Sequence, residues 1–262
     1  ARLLAKVDGG QSLTEASNLL AAEPPAARAA ALDAAYGTLR QFGRGAFILG
    51  RLMNKPLSHP ETYALLRAAL YRLETRPESS HTVVDQAVKA AGELAGGVFK
   101  GLVNGVLRNY LRQRETMQAE LAKDDVATYQ HPRWWLERLR RRWPQQWMAI
   151  VAADNAPPPM SLRVNARQGS VAAYLDRLAS SGVSGRALGE LGILLERAVA
   201  VDVLPGFFDG SVSVQDVGAQ RAAELLAPSD GMRVLDACAA PGGKTAHLLE
   251  RALRKNRHCA RI

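Results

Sequence analysis

Over roughly the first 152 residues, apolar positions recur every three or four, the period of an α-helix with one buried face. Leu32, Tyr36, Leu39 and Phe42 fall on this spacing in the Ala-rich stretch from Arg28 to Phe42. A second segment begins at Pro60, a residue well suited to a helix's first turn, and carries Tyr63, Leu66, Leu70 and Leu73. Val83, Val84, Ala87, Val88 and Ala91 mark a third, between Glu78 and Leu94. Phe99, Leu102, Val103, Val106, Leu107 and Tyr110 mark a fourth, and Trp135, Leu139 and Trp143 a fifth that Pro144 closes. The pattern predicts a compact helical bundle.

The period changes after Ala156-Pro157-Pro158-Pro159. Three consecutive prolines favour a stiff extended connector, which makes this run the best domain boundary. Met160 to Asn165 then alternates as a strand, and Val171 to Leu178 reads as a short helix. Ile193 to Val203 is apolar and extended in part, and Val212 and Val214 alternate within a strand over 210–215. Asp216 can cap a helix from Val217 to Leu226. Pro228-Ser229-Asp230-Gly231 predicts a turn, and Met232 to Asp236 a buried strand. There is no internal repeat or low-complexity tract.

That last strand leads into Ala237-Cys238-Ala239-Ala240-Pro241-Gly242-Gly243-Lys244-Thr245. A strand, a loop of small residues and a helix form a unit suited to holding a cofactor. Ligands collect at the carboxyl ends of strands in open α/β sheets, where Asp236 stands. Ala239, Ala240, Gly242 and Gly243 lack bulk, so backbone N–H groups can approach a ligand closely. The helix from about Lys244 offers its amino end to a carboxylate or phosphate. An acid at the strand end suits a ligand that also carries an amine, and the methionine end of S-adenosylmethionine has both groups. Two alternatives stay open. Gly243-Lys244-Thr245 copies the end of a phosphate-binding P-loop, but Cys238 stands where that pattern needs glycine and Pro241 removes one N–H. The loop could also be a plain structural turn. Cys238 reads as a small hydrophobe rather than a nucleophile.

With 262 residues, 47% of them hydrophobic, the chain can bury cores for about two domains. Its net charge of +9 favours a polyanionic partner such as nucleic acid. Two cysteines, Cys238 and Cys259, cannot build a disulfide framework and fit a reduced cytoplasmic protein. No apolar run approaches a membrane span and no signal peptide is visible. His59, His81, His131, His247 and His258 lack ligand spacing, so no metal site is expected.

Val234-Leu235-Asp236-Ala237-Cys238-Ala239-Ala240-Pro241-Gly242-Gly243-Lys244-Thr245 resembles the first motif of the Sun/Fmu (RsmB-type) family of ribosomal RNA cytosine-C5 methyltransferases. Three further stretches resemble the family in the same order. They are Lys100 to Arg108 (its NusB-like helical domain), Pro157 to Asn165 (its linker and following strand) and Gln215 to Gln220 (the stretch before the cofactor strand). The resemblance implies a NusB-like all-helical RNA-binding domain at 1–152 and a small α/β linking subdomain at 153–209. It also implies, at 210–262, the first strand–loop–helix of a Rossmann-like class I methyltransferase domain. S-adenosylmethionine would bind along Cys238, Ala239, Ala240, Pro241, Gly242, Gly243 and Lys244, with Asp236 beside them, and the substrate would be a cytosine of 16S ribosomal RNA.

In the family one cysteine thiolate attacks C6 of the base and a second assists release. Neither motif stands in this sequence, and Cys259 lacks a Pro-Cys or Thr-Cys context. The chain is therefore expected to be C-terminally truncated and inactive alone, with the segment after about Gly231 poorly packed. A cytoplasmic monomer without metal is expected. The alternative is a non-catalytic RNA-binding module. Lys100, Asn104, Arg108 and Arg112 follow one another at intervals of four and form a polar stripe. Arg138, Arg140, Arg141 and Arg142 form a second basic group beside Trp134 and Trp135. Arginine suits phosphate through its bidentate fork. The plain reading of either group is a solvated helix face, with the tryptophans in the core.

Overall fold

A computed structural model describes residues 1–229 and 231–255. The chain divides into two compact units, Ala1–Ala156 and Pro157–Ile262.

In the first unit the ordered elements are α1 (Arg2–Asp8), α2 (Leu13–Ala16), α3 (Pro25–Arg40), α4 (Phe42–Leu52), α5 (Pro60–Thr75) and α6 (Ser80–Gly92). They continue with α7 (Lys100–Arg112), α8 (Arg114–Leu121), α9 (Asp125–Tyr129), α10 (Arg133–Arg142) and α11 (Trp147–Asn155). Proline occupies the first helical position of α3 and α5. His59 Nδ1 accepts from the Thr62 N–H at 3.2 Å, and Asp124 caps α9 by accepting from Ala127 N–H at 2.8 Å. The main core joins Leu66, Leu70 and Leu73 of α5, Val84, Ala87 and Ala91 of α6, and Val103, Val106, Leu107 and Tyr110 of α7. Burying each such leucine contributes about 1.5–3 kcal/mol. Tyr36 and Leu102, expected on apolar faces, are 48% and 39% exposed and sit at the edges of their stripes.

Helix α4 buries Ile48 and Leu49 in the main core, and its first turn carries two buried glycines, Gly43 and Gly45. Gly43 is required by contact: a Cβ there would lie 2.3 Å from the Val126 carbonyl oxygen. Gln130, in the left-handed conformation at φ 56°, ends α9 and accepts from the N–H groups of Gly43 (3.0 Å) and Arg44 (3.3 Å). One side chain thus satisfies two otherwise orphaned amides at the start of α4. Behind them Arg44 grips Glu74 through two bonds of 3.0 and 2.7 Å. Gln118 and the Tyr110 hydroxyl also donate to Glu74, at 2.9 and 3.3 Å.

The second unit is built on an antiparallel sheet of order β2-β3-β1-β4: β1 (Ser161–Val164), β2 (Gly185–Leu188), β3 (Gly192–Leu195) and β4 (Val212–Val214). Leu162 pairs with Ile193 on one side of β1 and with Val214 on the other. Helix α12 (Val171–Ser180) packs Tyr174 and Leu178 against Leu162, Val164, Ile193 and Leu195. Helices α13 (Val217–Leu226) and α14 (Gly243–Lys255) follow, and Asp216 caps α13 by accepting from Gly218 N–H at 2.8 Å. The apolar run that begins at Ile193 leaves the sheet after Leu195 and ends in a 3₁₀ turn at Val201–Val203.

The structure corrects the expected buried strand at Met232–Asp236. No described segment pairs with it, and Leu235 is 88% exposed. A strand is a strand only through its ladder, so an apolar run without neighbours stays an unpaired extended segment. The expectation of loose packing throughout this region is also corrected. Helix α14 buries His247 and Leu248 and is tied to β1. Asp230 of the expected turn, and Cys259, lie outside the described residues.

Candidate functional site

Asp236 braces the small-residue loop at both ends. Its Oδ1 accepts from the Cys238 N–H at 3.0 Å, and its Oδ2 accepts from the Thr245 hydroxyl at 2.7 Å. Those two bonds, the Thr245 bond first, hold its carboxyl below the usual carboxylate range, so it is charged at neutral pH. The chain then turns through Gly242 at φ +104°, a conformation that favours glycine, and enters α14. Among the described residues the N–H groups of Ala239, Ala240, Gly242, Gly243, Lys244 and Thr245 make no hydrogen bond. The Cys238 N–H is already committed to Asp236. Cys238 through Pro241 and Lys244 are exposed, and Cys238 is a free thiol. Five amides of the expected cofactor segment thus remain available, and Asp236 acts first as the brace that shapes them.

The loop rests on a buried arginine. Along β1 the side chains alternate: Leu162 and Val164 enter the apolar core, while Ser161 and Arg163 point to the other face. That face is covered, and Arg163 is 1% exposed. Its guanidinium donates to the Gly243 carbonyl at 2.8 Å, to Glu250 Oε1 at 2.8 Å and to Gln215 Oε1. Gln220 donates to the carbonyls of Leu162 and Gln215, at 3.2 and 3.0 Å. The first residue of α14 is thereby anchored through its carbonyl.

His247, one turn along α14, is 1% exposed, and neither ring nitrogen has a hydrogen-bond partner among the described residues. Burial, then the positive charges of Arg163 and Arg251, push its pKa down to about 4, and the Glu190 charge opposes the shift. The imidazole is neutral at physiological pH.

The two basic groups lie in the first unit. On α7, Lys100, Arg108 and Arg112 are exposed and Asn104 is half-buried. Arg108 Nε donates to Asn104 Oδ1 at 2.9 Å, which leaves its charge uncompensated. On α10 the expected cluster divides. Arg140 pairs with Asp125 at 2.8 Å and covers the Trp147 ring at 4.3 Å, whereas Arg138, Arg141 and Arg142 are exposed. Trp134 is 61% exposed, so it does not belong to the core.

Sequence reasoning found the loop but gave no role to Arg163, Gln215, Gln220, His247 or Glu250. The available signal was the alternation in Ser161-Leu162-Arg163-Val164, which places Arg163 opposite the core. It cannot show that a helix covers that face. Among the described residues no group of His, Cys, Asp or Glu could hold a metal ion, and no helix is long and apolar enough to cross a membrane.

Comparison with known proteins gives matches in the same order along the chain. The NusB family matches residues 1–112, the ferredoxin-like domain of RsmF/B-like methyltransferases matches 131–202, and 16S rRNA methyltransferase RsmB/F matches 223–260. Proteins named ribosomal RNA small subunit methyltransferase B are similar over most of the chain. The one from Erwinia tasmaniensis is 42% identical over 94% of this chain and 58% of its own length. The one from Pseudomonas putida is 45% identical over 83% of this chain and 51% of its own length. The one from Vibrio cholerae is 42% identical over 94% of this chain and 58% of its own length. The chain therefore spans between half and three-fifths of these relatives. The solved structure of PH0851 shares the fold, with a TM-score of 0.70 at 18% identity, over 95% of this chain and 59% of that one. With three family regions matched in order and these relatives alongside, the chain is similar to the 16S rRNA methyltransferase RsmB/F proteins over most of its length.

Proposed function

We propose that this chain contributes the methyl-donor loop and RNA-binding surfaces to methylation of C5 of a cytosine in 16S ribosomal RNA, with S-adenosylmethionine as donor. The observation that carries this reading is the set of amides from Ala239 to Lys244 that make no hydrogen bond among the described residues, in a loop braced by Asp236. Such amides at the amino end of α14 fit the donor's α-carboxylate. The remaining lone pairs of Asp236 fit its ammonium group. When bound, the donor supplies an electrophilic methyl group. This chain's residues bind and orient it, and the exposed basic side chains of α7 hold the RNA phosphates.

The domain reading keeps 1–152 as the RNA-binding part, 153–209 as the linking part and 210–262 as the donor-binding part, acting as a cytoplasmic monomer. The nucleophile and release cysteines of the proposed chemistry match neither Cys238 nor Cys259, so no catalytic residue is assigned here. Isothermal titration of S-adenosylmethionine into the chain tests the donor site. Binding is expected, and Gly242→Val should abolish it, because valine disfavours φ near +104°. Absence of binding, together with uptake of a magnesium nucleoside triphosphate, would reject the reading in favour of a P-loop. A second reading has its own observation, the unpaired Met232–Asp236 segment. If RNA binds and the donor does not, the chain is a non-catalytic RNA-binding module.

A further inference from the structure

Helix α10 buries Leu136 and Leu139 against Val151 and turns a strongly basic face outward. Arg138, Arg141 and Arg142 stand at positions i, i+3 and i+4, so they share that face. None of the three has an ion-pair partner among the described residues. Arg140 differs, since its charge is met by Asp125 and its plane lies over Trp147. The three free guanidinium groups line a groove of about 540 Å³ together with Trp135, Leu139 and Trp143. Trp143 is 43% exposed there.

A simpler cause for basic residues at this place is the negative end of the helix dipole. It accounts for Arg141 and Arg142 in the last turn. It does not account for Arg138 a turn earlier, nor for the exposed Trp143 ring in the same groove. Guanidinium forks beside the exposed Trp143 indole match the two chemistries of a single strand, phosphate and base. An acidic protein surface would meet the charge and leave the ring unused.

Resting on the RNA reading above, we propose that this groove is a binding site for single-stranded RNA. Arg138, Arg141 and Arg142 take successive phosphates, and Trp143 stacks on a base. The site is separate from the Lys100 stripe on α7 and gives the chain a second hold on the same strand.

Fluorescence anisotropy of the full chain with a labelled single-stranded RNA of about 12 nucleotides, within the size range of single-strand sites, tests the proposal. The titration is repeated over a salt series, with polyglutamate as competitor. Replacing all three arginines with glutamine should weaken binding at least tenfold and flatten the log–log salt slope by about 2, from roughly 0.7 per phosphate. Trp143→Leu should weaken binding about tenfold and leave the slope unchanged, as lost stacking requires. These surface changes leave the buried leucines intact, and circular dichroism verifies the fold. If the wild-type chain binds RNA and the triple variant equals it in affinity and slope, the groove assignment is wrong and the RNA reading stands. If the wild-type chain binds no RNA, both fall. If the wild-type chain binds polyglutamate at least as tightly as the RNA, and the triple variant loses polyglutamate binding but keeps RNA binding, the proposal is overturned in favour of an acidic protein partner.

Discussion

Arg163, in the central strand of the second unit, donates to Glu250 Oε1 at 2.8 Å, and the two side chains are 0% and 12% exposed. The same guanidinium holds the Gly243 carbonyl, so one buried cation fixes helix α14 at its first residue and two turns later. Removing one partner of a buried ion pair leaves the other charge uncompensated and costs about 3–5 kcal/mol. Arg163→Met should therefore destabilise the second unit by that amount, and Glu250→Gln by a similar one, because the amide oxygen still accepts but leaves the buried Arg163 charge uncompensated. All four tryptophans lie in the first unit, so amide exchange of β1 is the measurement to use. Equal protection of β1 in wild type and Arg163→Met would show that the pair does not hold the unit together.

The Asp236 brace makes a local prediction. Asp236→Ala removes the acceptor of both the Cys238 N–H and the Thr245 hydroxyl. Exchange at the Cys238 amide should accelerate and S-adenosylmethionine binding should weaken, while exchange in β1 stays as in the wild type. Thr245→Val should reproduce half of the effect, since the Cys238 bond remains. Unchanged donor affinity in both variants would separate the brace from the donor site.

Burial of His247 gives a pH dependence whose sign follows from linkage. The unfolded histidine takes a proton near 6.5, but the folded one resists protonation down to about 4. Between those values the unfolded state binds more protons, so stability falls as pH drops through the window and is flat above it. The effect on the second unit should reach on the order of 2 kcal/mol. His247→Leu should remove the slope between pH 5 and 6.5, where carboxylates contribute least. Denaturant midpoints measured across that range decide it; a slope that persists in His247→Leu assigns it to another group.

Tyr110 predicts the opposite limb. Burial, then the neighbouring Glu74 charge, pushes its pKa up to about 12. Of the six tyrosines, Tyr110 should therefore ionise last in an ultraviolet titration at 295 nm, with Tyr174 also raised above the usual value by burial. Because the unfolded phenol ionises near 10, the first unit should lose stability as pH rises from 10 towards 12. In Glu74→Gln the late transition should move down, since the repelling charge is gone; an unmoved transition would leave burial as the whole cause.

The α7 stripe makes a prediction independent of α10. Lys100, Arg108 and Arg112 are exposed, and the hydrogen bonds that Arg108 and Arg112 make are to neutral asparagine oxygens. Changing the three to glutamine should lower the salt slope of RNA binding by about 2 and weaken RNA affinity at low salt. A slope equal to wild type would assign this face to solvent.

What the sequence by itself determined follows from short-range physics. Apolar period, helix-start prolines and Asp216 located the principal helices, because each signal acts within one or two turns. The small residues from Ala239 to Gly243 announced an open loop for the same reason, since backbone access depends on missing side chains. Tertiary structure decided what depends on distant neighbours. Met232–Asp236 has the composition of a buried strand and pairs with no described segment, because a ladder needs a second strand. Arg163 sits at the polar position of an alternating strand and is nonetheless buried, because α14, some eighty residues later in sequence, lies across it. Helix α4 is held by Gln130 and fits against the Val126 carbonyl only because residue 43 is glycine, and both partners come from more than eighty residues later in sequence. Alternation says which way a side chain points, and only the assembled fold says whether water or protein meets it there.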